Sequence, residues 1–480
     1  MLKLANYING ELLAPVDGQY LDNVEPATGQ VYSQCPASNE ADLALAVSAS
    51  KAAFAEWKNT PLEQRANIML RIADLIEANL QPLAEAESRD NGKPVSLAKM
   101  VDIPRASENF RFFAHAITQF SSESHQMPGV AINYTLREPI GTVACISPWN
   151  LPLYLFTWKI APAIAAGNCV VAKPSEITPM TAFLLSEICI EAGLPAGVLN
   201  IVHGYGHEIG EAMCQHSEIK AISFTGGTKT GAHIASVAAP KFKKLSLELG
   251  GKNPAIVFAD CDFEKTLDGV VRAAFSNQGQ ICLCGSRIYI EKSIYPKFKE
   301  AFLERVAQLK VGDPKDPETK VGALVSKAHR DKVMSYIELG KEEGGQLLSG
   351  GKAVTVPGRC EQGYFIEPTV FEGLGNACRT NQEEIFGPVA TLQSFDTEEE
   401  ALALANDNQY GLAASVWTSD LQRAHRLSQQ IETGIVWVNC WLLRDLRTPF
   451  GGMKASGVGR EGGHEALRFF TEPKNVCITY

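Results

Sequence analysis

The sequence predicts an α/β protein built on parallel sheets, and three observations carry that prediction. From Gly141 onward, short apolar runs (GTVACISPW, NCVVAKPSE, VLNIVHG, KAISFTGG, KKLSLELGG) alternate with helical stretches such as WKIAPAIAAG and FLLSEICIEAGLPAG. Strands and helices alternating at this spacing make βαβ units, because parallel strands need a crossover between them. A second series follows Gly250: NPAIVFAD, a helix through Arg272, SRIYIEKS, and a helix from Tyr295 to Leu309. The chain has 480 residues, too many for one compact core. A domain boundary is therefore expected near Gly250-Gly251.

The remaining elements are read in order. Leu62 to Leu80 carries Ile68, Ile72, Leu75, Ile76 and Leu80 on one helical face, which predicts an amphipathic helix. The tail RFFTEPKNVCITY reads as a strand, and an edge-seeking terminal strand suits contact between subunits. There is no internal repeat and no low-complexity segment.

Composition excludes several function classes. Apolar residues make up 45% and charged residues 20%, ordinary for a soluble globular protein. Lys and Arg number 44 against 54 Asp and Glu, a net charge of −10. That argues against nucleic-acid or anionic-membrane partners, which select basic surface. The first residues carry no sustained apolar stretch or cleavage site, so no signal peptide is expected. The longest apolar run, Ile160 to Ala172, is broken by Pro162, Gly167 and Asn168 and is too short to span a bilayer. The 12 cysteines are scattered, which favours reduced thiols in a cytoplasmic protein. Cys282 and Cys284 lack a second ligand pair, so no metal site is assigned.

Parallel sheets bind ligands beyond the carboxyl ends of their strands. Attention therefore falls on Pro148-Trp149-Asn150, Lys173-Pro174-Ser175-Glu176, Thr225-Gly226-Gly227 and Glu248-Leu249-Gly250-Gly251. One glycine run misleads. Gly457-Val458-Gly459-Arg460-Glu461-Gly462 matches G-x-G-x-x-G, but the chain ends before the acid that should follow about 20 residues on. No other glycine cluster fits the dinucleotide fingerprint either.

Phe275-Ser276-Asn277-Gln278-Gly279-Gln280-Ile281-Cys282 resembles the nucleophile segment of the aldehyde dehydrogenase superfamily. Leu247-Glu248-Leu249-Gly250-Gly251-Lys252 resembles its general-base segment. Pro148-Trp149-Asn150, Lys173-Pro174-Ser175-Glu176, Phe224-Thr225-Gly226-Gly227, Glu384-Ile385-Phe386-Gly387-Pro388 and Pro449-Phe450-Gly451-Gly452 are similar to the family's other motifs, in family order over nearly the whole chain. The resemblance implies an aldehyde dehydrogenase-like fold in three parts. A Rossmann-type NAD-binding domain takes residues 1–120 and 139–250, an α/β catalytic domain takes 251–456, and a small β oligomerisation element takes 121–138 and 457–480. A homotetramer is expected, or a homodimer.

The chemistry implied is covalent. A free thiol is only a few per cent thiolate at neutral pH, so a nucleophilic cysteine needs local activation. By resemblance Cys282 attacks the aldehyde carbon, Asn150 and the Cys282 backbone N–H stabilise the oxyanion, and Glu248 activates water to release the acid. The cofactor contacts implied are Trp149, Lys173, Glu176, Gly226, Gly227, Glu384 and Phe386. A carboxylate such as Glu176 at a ribose hydroxyl repels a 2′-phosphate, which favours NAD over NADP. Gly227 is a departure, because many relatives have Ser there.

For the substrate, Asn439 to Arg447 and Asp102-Ile103-Pro104-Arg105 resemble the branch that oxidises 2-aminomuconate and 2-hydroxymuconate semialdehydes. The resemblance implies that Arg105 and Arg444 hold the substrate carboxylate, in the bidentate fashion of guanidinium groups. Leu151, Trp158 and Phe450 are expected around the aldehyde channel. The bland alternative pairs Arg444 with Asp445 and Arg105 with Glu108, and Arg111 is assigned to structure. Betaine aldehyde and aliphatic aldehydes are the alternative substrates. An acylating or acyl-phosphate-forming dehydrogenase has no need of a Glu248 base, and a non-catalytic structural descendant has no need of Cys282, Glu248 and Asn150 together.

Overall fold

The computed structural model describes residues 1–480. Its first sheet has eight strands, and five of them are parallel. Across the sheet these run Lys244–Glu248, Ile219–Thr225, Thr142–Ile146, Cys169–Lys173 and Leu199–Ile201. The order reverses at Thr142–Ile146, because the chain adds Cys169–Lys173 and Leu199–Ile201 on one side of it and then Ile219–Thr225 and Lys244–Glu248 on the other. That switch point leaves a crevice at the carboxyl strand ends, close to Trp149, Lys173 and Thr225.

The second sheet has seven strands centred on Asn253–Val257 and Gly285–Glu291, parallel except at the Gln346–Ser349 edge. The chain crosses between the sheets at residues 249–252. Thr142–Ile146 in the first sheet and Asn253–Val257 in the second are fully buried runs, as parallel strands covered by helices on both faces must be. A third sheet joins Ser124–Met127, Ala131–Pro139 and Thr471–Thr479. No helix is long and apolar enough to cross a membrane.

Three sequence expectations shift in detail. The amphipathic helix runs Leu62–Ala78, and its buried stripe is Arg65, Ala66, Met69, Ile72, Ala73 and Ile76. Ile68 and Leu75 sit at the rim, and Leu80 opens the next helix. The C-terminal strand begins only at Thr471, because Gly463–Phe469 is helical. Residues 457–458, assigned from sequence to the third element, pair with Lys244–Glu248 in the first sheet. The glycine run there folds back as this short edge strand and opens no dinucleotide-binding turn.

Candidate active site

The cysteine loop is built from conflicting backbone demands. The helix Phe263–Phe275 ends at Ser276, and Asn277 and Gln278 then take left-handed conformations at φ 51° and 56°. Each costs on the order of 1 kcal/mol for a residue with a Cβ. The loop is held by its side chains. Asn277 Nδ2 donates to Asn150 O at 3.0 Å, Gln278 Nε2 to Ala323 O at 3.0 Å, and Val325 N donates to Gln280 Oε1 at 3.1 Å. Asn253 Nδ2 donates to Cys282 O at 2.7 Å. Gly251 packs so closely that a Cβ would stand 2.8 Å from Cys282 O. The result is a half-buried Cys282 facing a cavity of about 750 Å³.

Glu248 lines the same cavity from the end of its strand. It is 3% exposed, and neither carboxylate oxygen has a partner. Burial, and then the neighbouring Glu461, push its carboxyl well above the usual range, against Lys159, Arg444 and Arg460. Behind it, Lys159 Nζ donates to Glu461 Oε1 at 2.7 Å and to Ser223 Oγ at 3.1 Å. Burial, then Glu384 and Glu248, also push the Cys282 thiol up. Cysteine and carboxyl therefore both hold their protons tightly in the resting protein.

Asn150 is 3% exposed, and its side-chain N–H donates to Gln280 O at 3.0 Å. That is the only hydrogen bond the Asn150 amide nitrogen donates. Trp149, His329 and Phe386 form an aromatic corner, with Trp149 5.0 Å from His329 and 5.2 Å from Phe386. Glu384 accepts from Gly251 N at 2.8 Å.

At the crevice, Lys173 Nζ donates to Glu176 Oε2 at 3.0 Å. Burial works against the Glu176 charge, but the Lys173 ammonium outweighs it and holds the carboxyl below the usual range. Gly227 precedes the helix Thr228–Ala238, whose first turn has no side-chain cap. Its φ of −69° does not require glycine, and a Cβ there would meet nothing within 4 Å. Gly226 differs, since a Cβ would come within 2.4 Å of the Phe224 ring. The uncapped N–H groups of the helix Thr228–Ala238 suit a pyrophosphate, and a carboxyl held below the usual range at Glu176 suits an unphosphorylated ribose.

Arg444 sits between aromatic rings, 4.2 Å over Trp158 and 3.9 Å over Phe450. Its Nη1 donates to the Tyr154 hydroxyl at 3.0 Å, while Nε and Nη2 are buried with no partner. Asp445 does not pair with it, being taken by Arg447. Arg105 also lines the cavity. It does meet Glu108, at 3.3 Å, a neighbour more than half exposed and so weakly held. Its guanidinium stands 5.9 Å from the Tyr154 ring. Leu151 and Phe450 line the cavity, but Trp158 does not. Trp158 is 1% exposed and forms the floor under Arg444, one helical turn from Tyr154, so its expected place in the channel wall is corrected. Arg111 pairs with Asp74 and Glu77 on the surface.

Tyr154, Lys159 and Glu461 went unread in the sequence. Tyr154 and Trp158 share a face at i, i+4, a signal that was present. Glu461 lies inside the glycine run 457–462, where the pattern draws attention to the glycines and away from the carboxyl between them.

The fold and this arrangement are those of a cysteine-dependent oxidoreductase on an α/β scaffold. Residues 14–476 match the aldehyde dehydrogenase family. This chain belongs to that family. It is 48% identical to a 2-aminomuconic semialdehyde dehydrogenase of Bos taurus, covering 100% of this chain and 99% of the relative. It is 45% identical to a 2-hydroxymuconic semialdehyde dehydrogenase of Pseudomonas sp. (strain CF600), covering 100% of both. Among solved structures, indole-3-acetaldehyde dehydrogenase in complex with NAD+ superposes with a TM-score of 0.97 at 40% identity, covering 100% and 97% of the two chains. The NAD+ complex of a Bacillus cereus aldehyde dehydrogenase gives 0.97 at 38%, covering 99% and 96%.

Proposed function

We propose that this chain oxidises a carboxylate-bearing semialdehyde, 2-aminomuconate or 2-hydroxymuconate 6-semialdehyde, to the dicarboxylate with NAD. The observation that carries the substrate is Arg444. The side chain is half-buried, but its Nε and Nη2 are shut off from water with no protein partner, so they have lost hydration without replacing it. Nε and Nη2 lie side by side and match the two oxygens of a carboxylate. Arg105, in the same cavity, adds a second positive charge. The relatives' names agree with this reading.

In this reading the sheet of residues 253–438 belongs to the catalytic domain and the sheet around the switch point to the cofactor domain. Lys173, Glu176, Gly226 and Gly227 hold the adenosine half of NAD. Trp149, Glu384 and Phe386 hold the nicotinamide half. NAD, when bound, supplies the hydride acceptor and a positive ring that favours the Cys282 thiolate. Cys282 adds to the aldehyde carbon, and the Asn150 amide takes the oxyanion. The adduct loses hydride and becomes a thioester on the sulfur. Glu248 draws a proton from water, which attacks the thioester, releasing the acid and restoring the thiol. The balance is aldehyde, NAD+ and water to carboxylate, NADH and two protons.

The cytoplasmic homotetramer expected from the sequence is part of the same proposal. It draws support from the third sheet, whose strand Thr471–Thr479 is almost wholly exposed in the single chain and carries Ile478 at 51%.

The test is an assay of NADH formation with a carboxylate-bearing semialdehyde and with a neutral aldehyde of similar length. The expected kcat/KM favours the first by about 10² or more, a few kcal/mol of charge-assisted binding, and favours NAD over NADP. Equal kcat/KM for the two aldehydes removes the carboxylate clamp.

Glu248 yields a separate expectation. Only its ionised form accepts a proton, and its carboxyl is raised by burial. Hydrolysis of the thioester therefore rises with pH through a midpoint well above the ordinary carboxylate value of about 4.3. Glu248→Gln is expected to keep a first-turnover burst of NADH and slow the following steady state by about 10²–10⁴. Stopped-flow absorbance reads both phases, and a lost burst with an unchanged steady state would contradict the role.

A further inference from the structure

In the active-site wall sits a cluster that the proposed mechanism leaves unused. Lys93, Asp102 and Glu87 are shut off from water together, with side-chain exposures of 0%, 1% and 0%. Lys93 Nζ stands 3.0 Å from Asp102 Oδ2 and 3.9 Å from Glu87 Oε1. Glu87 in turn accepts from Leu153 N at 3.3 Å. Sinking such a group costs more than its internal attraction returns, and apolar side chains of the same volume hold a core at least as well. The ammonium does one thing that an apolar side chain would not: it donates to the carbonyl oxygen of Asn150 at 3.1 Å.

That oxygen receives three donors. Asn277 Nδ2 reaches it at 3.0 Å and Asn91 Nδ2 at 3.3 Å, besides Lys93. Asn91 also donates to Trp149 O at 3.0 Å. The main chain of Asn150 is thus fixed from three directions, while its side-chain amide is the proposed oxyanion donor. The geometry points to Lys93, oriented by Asp102, as a positioning residue that fixes the aim of the Asn150 amide on the developing oxyanion.

Asp102 reaches Lys93 because the backbone widens there. Residues Ala98–Asp102 form a π-helical turn, and the helix Ile103–Thr118 continues directly from it. That helix carries Arg105, and it also carries Asn109, which donates to Tyr154 O at 3.0 Å. One continuous element therefore holds both the oxyanion donor's support and the Arg105 side of the cavity. π-turns of this kind recur where a functional side chain must be displaced from helical register.

The test is a cycle in single-turnover NADH formation. Lys93→Met with Asp102→Leu removes the pair, and Glu87, whose carboxyl burial already pushes up to about 8, is left without its cation as the neutral acid. The expected loss in rate is on the order of 10–100-fold, with KM changed by less than about threefold. In an Asn150→Ala background, already slowed, the same pair of substitutions is expected to cost nothing further, because Lys93 acts through that amide. A wild-type rate in the double variant, or losses that multiply in the Asn150→Ala background, overturns the assignment. Should the double variant prove unstable, Asp102→Asn keeps the shape and removes only the charge. A several-fold loss that Asn150→Ala erases supports the role, and one that persists overturns it. None of these outcomes depends on which aldehyde is the physiological substrate.

Discussion

Cys282→Ser is expected to abolish aldehyde oxidation, lowering kcat by on the order of 10⁴–10⁶, the scale of losing a covalent nucleophile. The two side chains are nearly isosteric, and the bond that seats the loop, Asn253 Nδ2 to Cys282 O at 2.7 Å, uses the main chain. The variant should therefore fold, and NAD should still quench its tryptophan fluorescence. What it lacks is a nucleophile that ionises. Burial and the carboxylates Glu384 and Glu248 already raise the thiol, and the same surroundings raise a hydroxyl from a far higher starting point. An oxygen ester is also a poorer acyl donor to water than a thioester. Steady-state NADH formation is the measurement, and turnover within tenfold of wild type would remove Cys282 from the mechanism.

Arg444→Ala is expected to raise KM for a carboxylate-bearing semialdehyde by about 10²-fold with little change in kcat. Truncating one partner of a buried, hydrogen-bonded charge pair costs about 2–5 kcal/mol. Neutral aldehydes should lose only a few-fold, because for them the guanidinium contributes no carboxylate contact. Arg444→Lys is the informative control. It keeps the charge but replaces the planar fork with a point donor and forfeits the stack between Trp158 and Phe450. Partial recovery of KM is expected from it. Parallel losses for both aldehyde classes would mean that Arg444 shapes the cavity without reading the substrate.

The motifs at strand ends were legible because they are local. Lys173 closes its strand, Glu248 closes another, and Cys282 follows a helix with Gly279 marking the turn. Each motif is a few consecutive residues whose position in a βαβ unit follows from the alternation of strand and helix. The pairings of Arg444 were not legible. Asp445 stands next to it in sequence yet bonds Arg447, while the partners that matter, Tyr154 and Trp158, come from nearly 300 residues away. Glu461 and Lys159 are 302 apart and meet only because the tail returns to the first sheet.

The sequence by itself determined the α/β architecture, the two parallel sheets, and the thiol of Cys282 and carboxyl of Glu248 that line one cavity. The tertiary structure alone decided how those groups are charged and held. It left Glu248 dry, Arg444 short of partners, and the Asn150 carbonyl caught by Lys93, Asn91 and Asn277. The reason is that proton affinity and orientation depend on which atoms exclude water from a group. Those atoms belong to distant parts of the chain, brought together by sheet topology and absent from any local pattern.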